Sequence, residues 1–97
     1  MRQHRFHRDH GEHSVTVFLR QGLHTEAELL VDGKEVGNRR LTGRGPWALD
    51  DSLPEDPPVP FTVRITPSDP PACVLEIAGA VHPMPPVQPA PPAPPAT

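Results

Sequence analysis

The sequence contains a single cysteine, Cys73, and therefore no intramolecular disulfide and no cysteine-based metal site supports its fold. Aromatic residues are also scarce, with one Trp, three Phe and no Tyr among 97 residues. No apolar run approaches the roughly 20 residues that a membrane-spanning helix needs. The sequence predicts one small domain that is stabilised by burial of aliphatic side chains.

Strong charge and targeting signals are missing as well. Nine Lys and Arg against twelve Asp and Glu give a net charge of -3, which is too mild to attract a nucleic acid or an anionic membrane. Residues 1–13 carry four His, three Arg and two acids, so they lack the apolar stretch of a secretory signal. We therefore expect a cytoplasmic protein whose partner is another protein, with no nucleic-acid or membrane partner.

Proline divides the chain unevenly. Eight of the 16 prolines lie in residues 83–97, which contain no charged residue and favour polyproline II. Residues 1–13 show neither a helical nor an alternating apolar period. The sequence thus predicts a His-rich disordered arm over residues 1–13, a folded β domain over residues 14–81 and a Pro-rich disordered tail over residues 82–97. The P-x-x-P matches of the tail are typical of a spacer and of a peptide ligand.

Alternation of apolar and polar side chains dominates the middle of the chain. Five segments have this pattern, namely residues 15–20, 26–31, 34–36, 61–66 and 73–78. Five prolines interrupt residues 43–60 and leave no room for a long helix. We predict an all-β fold, a small antiparallel β-sandwich or partly open barrel of about five strands. The expected core consists of Val15, Val17, Leu19, Leu29, Val31, Val36, Trp47, Leu49, Phe61, Val63, Ile65, Leu75 and Ile77.

One hairpin can be placed by its turn residues. Asp32-Gly33 between two extended runs is a strong signal for a two-residue turn, and such a turn places Leu29 opposite Val36. The stretch from Val31 to Val36, preceded by an alternating strand, resembles hairpins in several small β domains, including the Fas apoptotic inhibitory molecule fold. The resemblance rests on turn chemistry and implies no function.

Histidine spacing is the sharpest chemical pattern in the chain. His4, His7, His10 and His13 recur at every third residue. This spacing aligns the imidazoles along one edge of a polyproline II segment and lets consecutive pairs meet on a helix, whereas a strand alternates their faces. The series is therefore a candidate site for Zn²⁺, Ni²⁺ or Cu²⁺, which bind neutral imidazole nitrogen. The alternatives are an arm without a function and an arm that responds to mild acid.

A second candidate site is the basic and aromatic stretch after the hairpin. Arg39, Arg40 and Arg44 precede Trp47, and this combination predicts a surface that binds a partner. An acidic run at residues 50–56 follows at once. The alternative is a loop in which Arg and acid neutralise each other while Trp47 closes one end of the core.

No catalytic motif is intact in the sequence. G-x-S-x-G and H-E-x-x-H are absent, and the acidic run lacks the ligand spacing of an EF-hand. Cys73 is predicted to point into the core, where a thiol is unreactive because burial raises its pKa. The sequence therefore favours a non-catalytic protein-interaction module, with metal binding by the His series as the alternative function.

Overall fold

The computed structural model describes residues 2–87, which form eight β-strands and no helix. In chain order the strands are β1 (Arg2–His10), β2 (His13–Gln21), β3 (Thr25–Val31), β4 (Lys34–Leu41), β5 (Trp47–Leu53), β6 (Val59–Thr66), β7 (Ala72–Ile77) and β8 (Ala80–Met84). They form two four-stranded antiparallel sheets, β1-β2-β3-β4 and β5-β6-β7-β8. The all-β antiparallel prediction is confirmed, but there are eight strands where about five were expected. Within residues 2–87, nothing is a candidate for a membrane-spanning helix.

Both sheets contribute to one hydrophobic core. Successive side chains of a strand point to opposite faces, so each alternating segment buries one of its two rows. The buried apolar side chains are Phe6, Val15, Val17, Leu19, Ala27, Leu29, Val31, Leu49, Leu53, Phe61, Val63, Ile65, Cys73, Leu75, Ile77 and Met84. Two expected core residues differ: Val36 is exposed, and Trp47 is only partly buried against the core.

The predicted disordered arm is wrong for residues 2–10, because these residues are strand β1. The strand pairs with β2 along its whole length, from Arg2 opposite Gln21 to His10 opposite His13. Phe6 anchors it in the core with only 1% of its surface exposed. The strand was missed because Phe6 is the one large apolar side chain on its inward row, where the other positions are Arg and His.

The boundary predicted for the Pro-rich tail is also wrong, since His82 and Met84 belong to β8. The three residues after β8 then follow the outer edge of β1. The amide of His7 donates to the Pro85 carbonyl at 3.2 Å, and the amide of Val87 donates to the Arg5 carbonyl at 2.7 Å. This pairing joins the end of the second sheet to the edge of the first. Residues 88–97 of the predicted tail lie outside the described residues.

An irregularity in the β3–β4 hairpin changes the predicted register. Asp32 and Gly33 form the turn, both with positive φ, as a tight hairpin requires. Beyond Leu30 and Glu35 the register shifts by one residue, so that Leu29 pairs with Gly37 and not with Val36. Val36 therefore leaves the core row and is 42% exposed, while Gly37 takes the inward position without a side chain to fill it.

Candidate functional site

Two free sheet edges lie next to each other on one side of the molecule. Strand β4 ends the first sheet and β5 begins the second, so neither has a further neighbour in its own sheet among residues 2–87. Residues 42–46 lead from the end of β4 directly to the start of β5, and the two strands are in contact. Residues 36–39 of β4 and residues 49–51 of β5 also lie close together, so the chain reverses at this connection and the two strands run in opposite directions along the same side of the two-sheet structure.

A groove of about 180 Å³ separates these two edges. Strand β4 contributes residues 36–39 to its walls and β5 contributes residues 49–51, while Ala27 and Leu29 form part of its apolar lining. Gly37 has no side chain at the centre of the β4 wall, and a Cβ built there would fit in ordinary van der Waals contact with Leu29, at 3.9 Å. The groove is thus a slot of mixed character, in which apolar side chains such as Leu29 and Leu49 lie beside the polar and charged side chains of Asn38, Arg39, Asp50 and Asp51.

Two of the predicted partner-binding residues lie on the free edge β4. Arg39 pairs in register with Ala27 and shares the row that faces the second sheet, whereas Arg40 pairs with Glu26 on the opposite row. Both are exposed. Arg40 donates a hydrogen bond to Nδ1 of His24. Arg39 makes no hydrogen bond or ion pair with any side chain of residues 2–87, so its guanidinium is available.

Arg44 lies in the connection between the sheets and Trp47 is the first residue of β5, so neither lies on the edge β4. Arg44 is exposed in that connection. The Trp47 indole nitrogen donates to the Thr42 carbonyl at 2.8 Å. Gly45, with φ +67°, packs so closely that a Cβ there would lie 3.1 Å from Trp47 and from Pro67. Trp47 therefore fixes the crossover between the sheets, and the structure separates it from the exposed pair Arg39 and Arg40.

The two free edges carry opposite charge. Strand β4 has three basic residues and one acid, whereas β5 has two acids and no base. Asp50 lies on the outer row and accepts a hydrogen bond from the Thr62 hydroxyl. Asp51 lies on the inward row opposite Phe61, and its Oδ1 accepts the Ser52 amide at 2.8 Å. Each carboxylate keeps one oxygen without a hydrogen bond to the described residues.

The four histidines of the predicted metal series do not converge. His4 and His10 share the inward row of β1, His7 points to the opposite face, and His13 belongs to β2. His7 is held by Thr16 and Asp9, each 2.9 Å from a ring nitrogen. Among residues 2–87 no three metal-ligating side chains form a metal-binding group. Strand geometry thus separates side chains that a helix or polyproline II segment would align.

His4 is the one described residue with a buried side-chain polar atom that lacks a partner. Its ring stacks near Phe6 with centroids 6.3 Å apart, and its Nε2 has no hydrogen bond within residues 2–87. An unpaired buried nitrogen costs free energy. His4 therefore packs as a core-facing side chain beside Phe6.

His13 connects three segments through two carboxylates. Its Nδ1 lies 2.8 Å from Asp32 in the β3–β4 turn, and its Nε2 lies 3.1 Å from Glu55 in the β5–β6 loop. Both ring nitrogens can donate only in the imidazolium form. The hydrogen bond to Asp32, supported by Glu55, raises the pKa of His13 above its ordinary value. The same hydrogen bond and the Ser14 amide lower the pKa of Asp32.

These shifts predict how stability changes with pH. Because the folded pKa of His13 is raised, its stabilising contribution is complete below the unfolded value near pH 6.5 and is lost as the pH rises through the folded pKa. The contribution of Asp32 is present above its unfolded value near pH 3.8 and is lost as the pH falls. The pair therefore stabilises the fold most between these two values.

The measurement is urea unfolding of the parent chain and of His13→Gln at several values between pH 5 and pH 9. We expect the parent to be the more stable, and the difference to shrink as the pH rises above 6.5. Subtracting the free energy of unfolding of His13→Gln from that of the parent cancels the contributions of the other histidines. A stability difference that stays constant from pH 5 to pH 9 would contradict the imidazolium bridge.

A cluster that sequence spacing does not reveal joins β1 to β8. The rings of His10 and His82 lie 5.4 Å apart with an interplanar angle of 60°. Arg8 contacts Nδ1 of His82 at 3.4 Å and donates to the Pro83 carbonyl at 3.3 Å. His82 is 72 residues from His10 in the sequence, so only the pairing of the two sheets brings them together.

A concavity of about 560 Å³ is open to solvent around the β7–β8 turn. Three of its lining side chains already make hydrogen bonds, since Thr62 donates to Asp50 and Arg64 donates to Glu76. The Cys73 thiol is buried elsewhere in the core, as predicted, and desolvation raises its pKa to about 12. A thiol in this state stays protonated near neutral pH and is a poor nucleophile.

No protein-family model matches the chain, and neither curated proteins nor solved structures show a significant similarity to it. The candidate site is therefore defined by geometry alone, namely the paired free edges β4 and β5 with the groove between them.

Proposed function

We propose that this chain is a non-catalytic protein-interaction module that binds an extended protein segment along the free edge of β4, where Arg39 and Arg40 select an acidic partner. The observation that carries the proposal is the edge itself: eight residues without proline, with no strand of the described part of the chain on their outer side. An edge strand presents backbone donors and acceptors to an incoming strand, which can pair with them.

Side chains around the edge support a specific partner over general aggregation. Natural proteins protect free edges with charges and bulges, and β4 has both in Lys34, Arg39, Arg40 and the irregularity at Val36. Those charges repel a basic or identical edge and attract an acidic one. The slot at Gly37 adds space for a side chain of the bound segment. The arrangement favours an acidic strand with alternating small side chains.

The test is a titration of the isotopically labelled chain, at a concentration at which it is monomeric, with an eight-residue peptide that alternates Thr and Asp. We expect the largest amide shifts in residues 34–41, because a strand added to β4 changes the hydrogen bonding of those amides. A peptide that alternates Thr and Lys is the control and should leave them unchanged. Arg39→Asp combined with Arg40→Asp should abolish the response. Shifts confined to other segments, or equal shifts with both peptides, would overturn the proposal.

Divalent metal binding is a second candidate, and the His10–His82 pair favours it over the four-histidine series. Two imidazoles that share a tetrahedral metal, at metal–nitrogen distances of roughly 2.0–2.1 Å, place their centroids roughly 5 Å apart. The observed separation is 5.4 Å. The guanidinium of Arg8 opposes a cation there, because it is positively charged and lies 3.4 Å from Nδ1 of His82.

Metal binding at this pair has a clear signature. We expect Zn²⁺ to shift the amides around His10 and His82 at pH 7.5, and binding to weaken below about pH 6 because protonated imidazole cannot ligate. Arg8→Ala should tighten binding by removing the opposing charge, and His82→Ala should abolish it. His24→Ala is the matched control, because His24 lies in the β2–β3 loop. Equal Zn²⁺ affinity in the parent and in His82→Ala would eliminate this candidate.

A further inference from the structure

We infer that the segment bound by β4 is strand β5 of a second copy of this chain. Two copies then form a closed two-fold dimer through two β4–β5 seams, in each of which β4 of one copy pairs with β5 of the other. This inference rests on the proposed function, since it names the occupant of the same edge. Three observations carry it: the position of both free edges on one side, their opposite directions and their opposite charges.

The position of the edges makes the pairing reciprocal. Strands β4 and β5 lie side by side in different sheets and border the same groove. Consider a two-fold axis that is parallel to the strands and lies just outside this side of the molecule. Rotation about it places the second sheet of the second copy beside the first sheet of the first copy, and the reverse. Strand β4 of each copy then meets β5 of the other. Both seams form at once, and the assembly closes as a dimer because the interface is isologous.

Strand direction is also compatible. Rotation about an axis parallel to the strands preserves their direction, and β4 and β5 run oppositely within one copy. Each seam is therefore antiparallel, like every pairing within the two sheets. Each dimer layer becomes a continuous eight-stranded antiparallel sheet, in which β4 continues into β5 of the second copy. The outer edges of both strands gain backbone hydrogen bonds, and the exposed Val36 is covered.

The register follows from the groove. Leu41 ends β4 and Trp47 begins β5. Gly37 lies four residues before Leu41 and Asp51 lies four residues after Trp47, so these two residues stand at the same height along the strands. Both residues line the groove, in agreement with this alignment. Rotation about the axis keeps these levels. Gly37 therefore lies opposite Asp51 of the second copy, and Arg39 lies opposite Leu49 of the second copy.

Charges match on both faces of this seam. Arg39 and Asp51 both occupy inward rows, and Arg40 and Asp50 both occupy outer rows. In the inferred register each arginine is the diagonal cross-strand neighbour of the corresponding aspartate of the second copy, within reach of a long side chain. Arg39, which has no partner among the described residues of its own copy, gains one. Pairing of β4 with β4 would instead oppose like charges.

A charge-exchange experiment tests the dimer. Mass is measured by light scattering at low ionic strength for the parent and for two double variants, Arg39→Asp/Arg40→Asp and Asp50→Arg/Asp51→Arg. We expect the parent at twice the 10.6 kDa of one chain. Each variant has two edges of the same charge and should dissociate at least about tenfold more readily. Dispersed amide spectra establish that both variants fold.

Mixing the two variants gives the decisive outcome. Each β4–β5 seam between them again pairs opposite charges, so a one-to-one mixture should form a heterodimer although neither variant dimerises alone. A monomeric parent, a dimer unaffected by either variant, or variants that remain monomeric after mixing would each overturn the inference. An open polymer would overturn the closed two-fold arrangement.

The proposed function can fail separately. Asp50→Arg/Asp51→Arg leaves β4 intact and, as a monomer, unoccupied. If this variant binds the Thr-Asp peptide while the parent is monomeric, the edge binds another acidic protein segment and only the dimer is wrong. If the variant does not bind the peptide either, the proposed function fails with it.

Discussion

Replacing Phe6 by alanine is expected to lower the free energy of unfolding by about 3–5 kcal/mol, the cost of removing a fully buried aromatic ring. Phe6 is 1% exposed and lies in the middle of β1, between the paired β2 and the segment that contains Pro86. The truncation would leave a cavity where three segments meet. Urea denaturation measured by tryptophan fluorescence or circular dichroism gives the change directly.

Phe18 provides a matched control. Phe18 lies on the face of β2 that points away from the core and is only partly buried. The guanidinium of Arg5 lies 5.2 Å from its ring centroid. Phe18→Ala should cost about 1 kcal/mol, because little apolar surface and one cation–π contact are lost. Equal and small effects of both substitutions would mean that residues 2–10 do not form a core strand.

Leu53→Ala is expected to cost about 2–5 kcal/mol, as do other truncations of buried leucines. Leu53 is 2% exposed and ends β5, where it pairs with Val59 at the start of β6. Its neighbours in sequence are acids and prolines, so the segment looks like a surface loop. A large loss of stability would show that β5 extends through the acidic run and into the core.

Leu23→Ala is the corresponding control, because Leu23 lies between β2 and β3 and is 100% exposed. Its truncation should change the free energy of unfolding by no more than about 0.5 kcal/mol. The same thermal or urea melts serve both variants. A Leu53→Ala protein as stable as Leu23→Ala would place the end of β5 outside the core.

Strands β2, β3, β6 and β7 could be predicted from the sequence because each follows a simple alternation. Val63 and Ile65, for example, are separated by a polar residue and are fully buried. The antiparallel all-β class follows from such segments and from the Asp32-Gly33 turn. Local pattern is sufficient wherever a strand buries one continuous apolar row.

The remaining strands break that rule for identifiable reasons. On β1, Arg8 and His10 occupy inward positions at the edge of the core, where long or polar side chains can reach solvent or each other. On β5, Asp51 takes an inward position that opens into the groove. These strands are buried by contact with the other sheet, and the periodicity of the sequence carries no information about that contact.

The candidate site was only half accessible to sequence reasoning. The sequence predicts Arg39 and Arg40 as partner-binding residues, and the structure places both on the free edge β4. In the alternative interpretation of the sequence, the acidic run at residues 50–56 merely neutralises these arginines. That Asp50 and Asp51 form a second edge of opposite charge depends on the crossover at residues 42–46, whose path no local pattern gives.

The pairing of Pro85 and Val87 with β1 has a consequence for how the chain folds. Every other strand pairing connects neighbours in the sequence, so both sheets can grow hairpin by hairpin at little cost in loop entropy. Phe6 and Pro86, by contrast, are 80 residues apart. We expect a low contact order and rapid folding for an all-β protein, with the contact between the two ends of the described chain forming last and exchanging its amide hydrogens first.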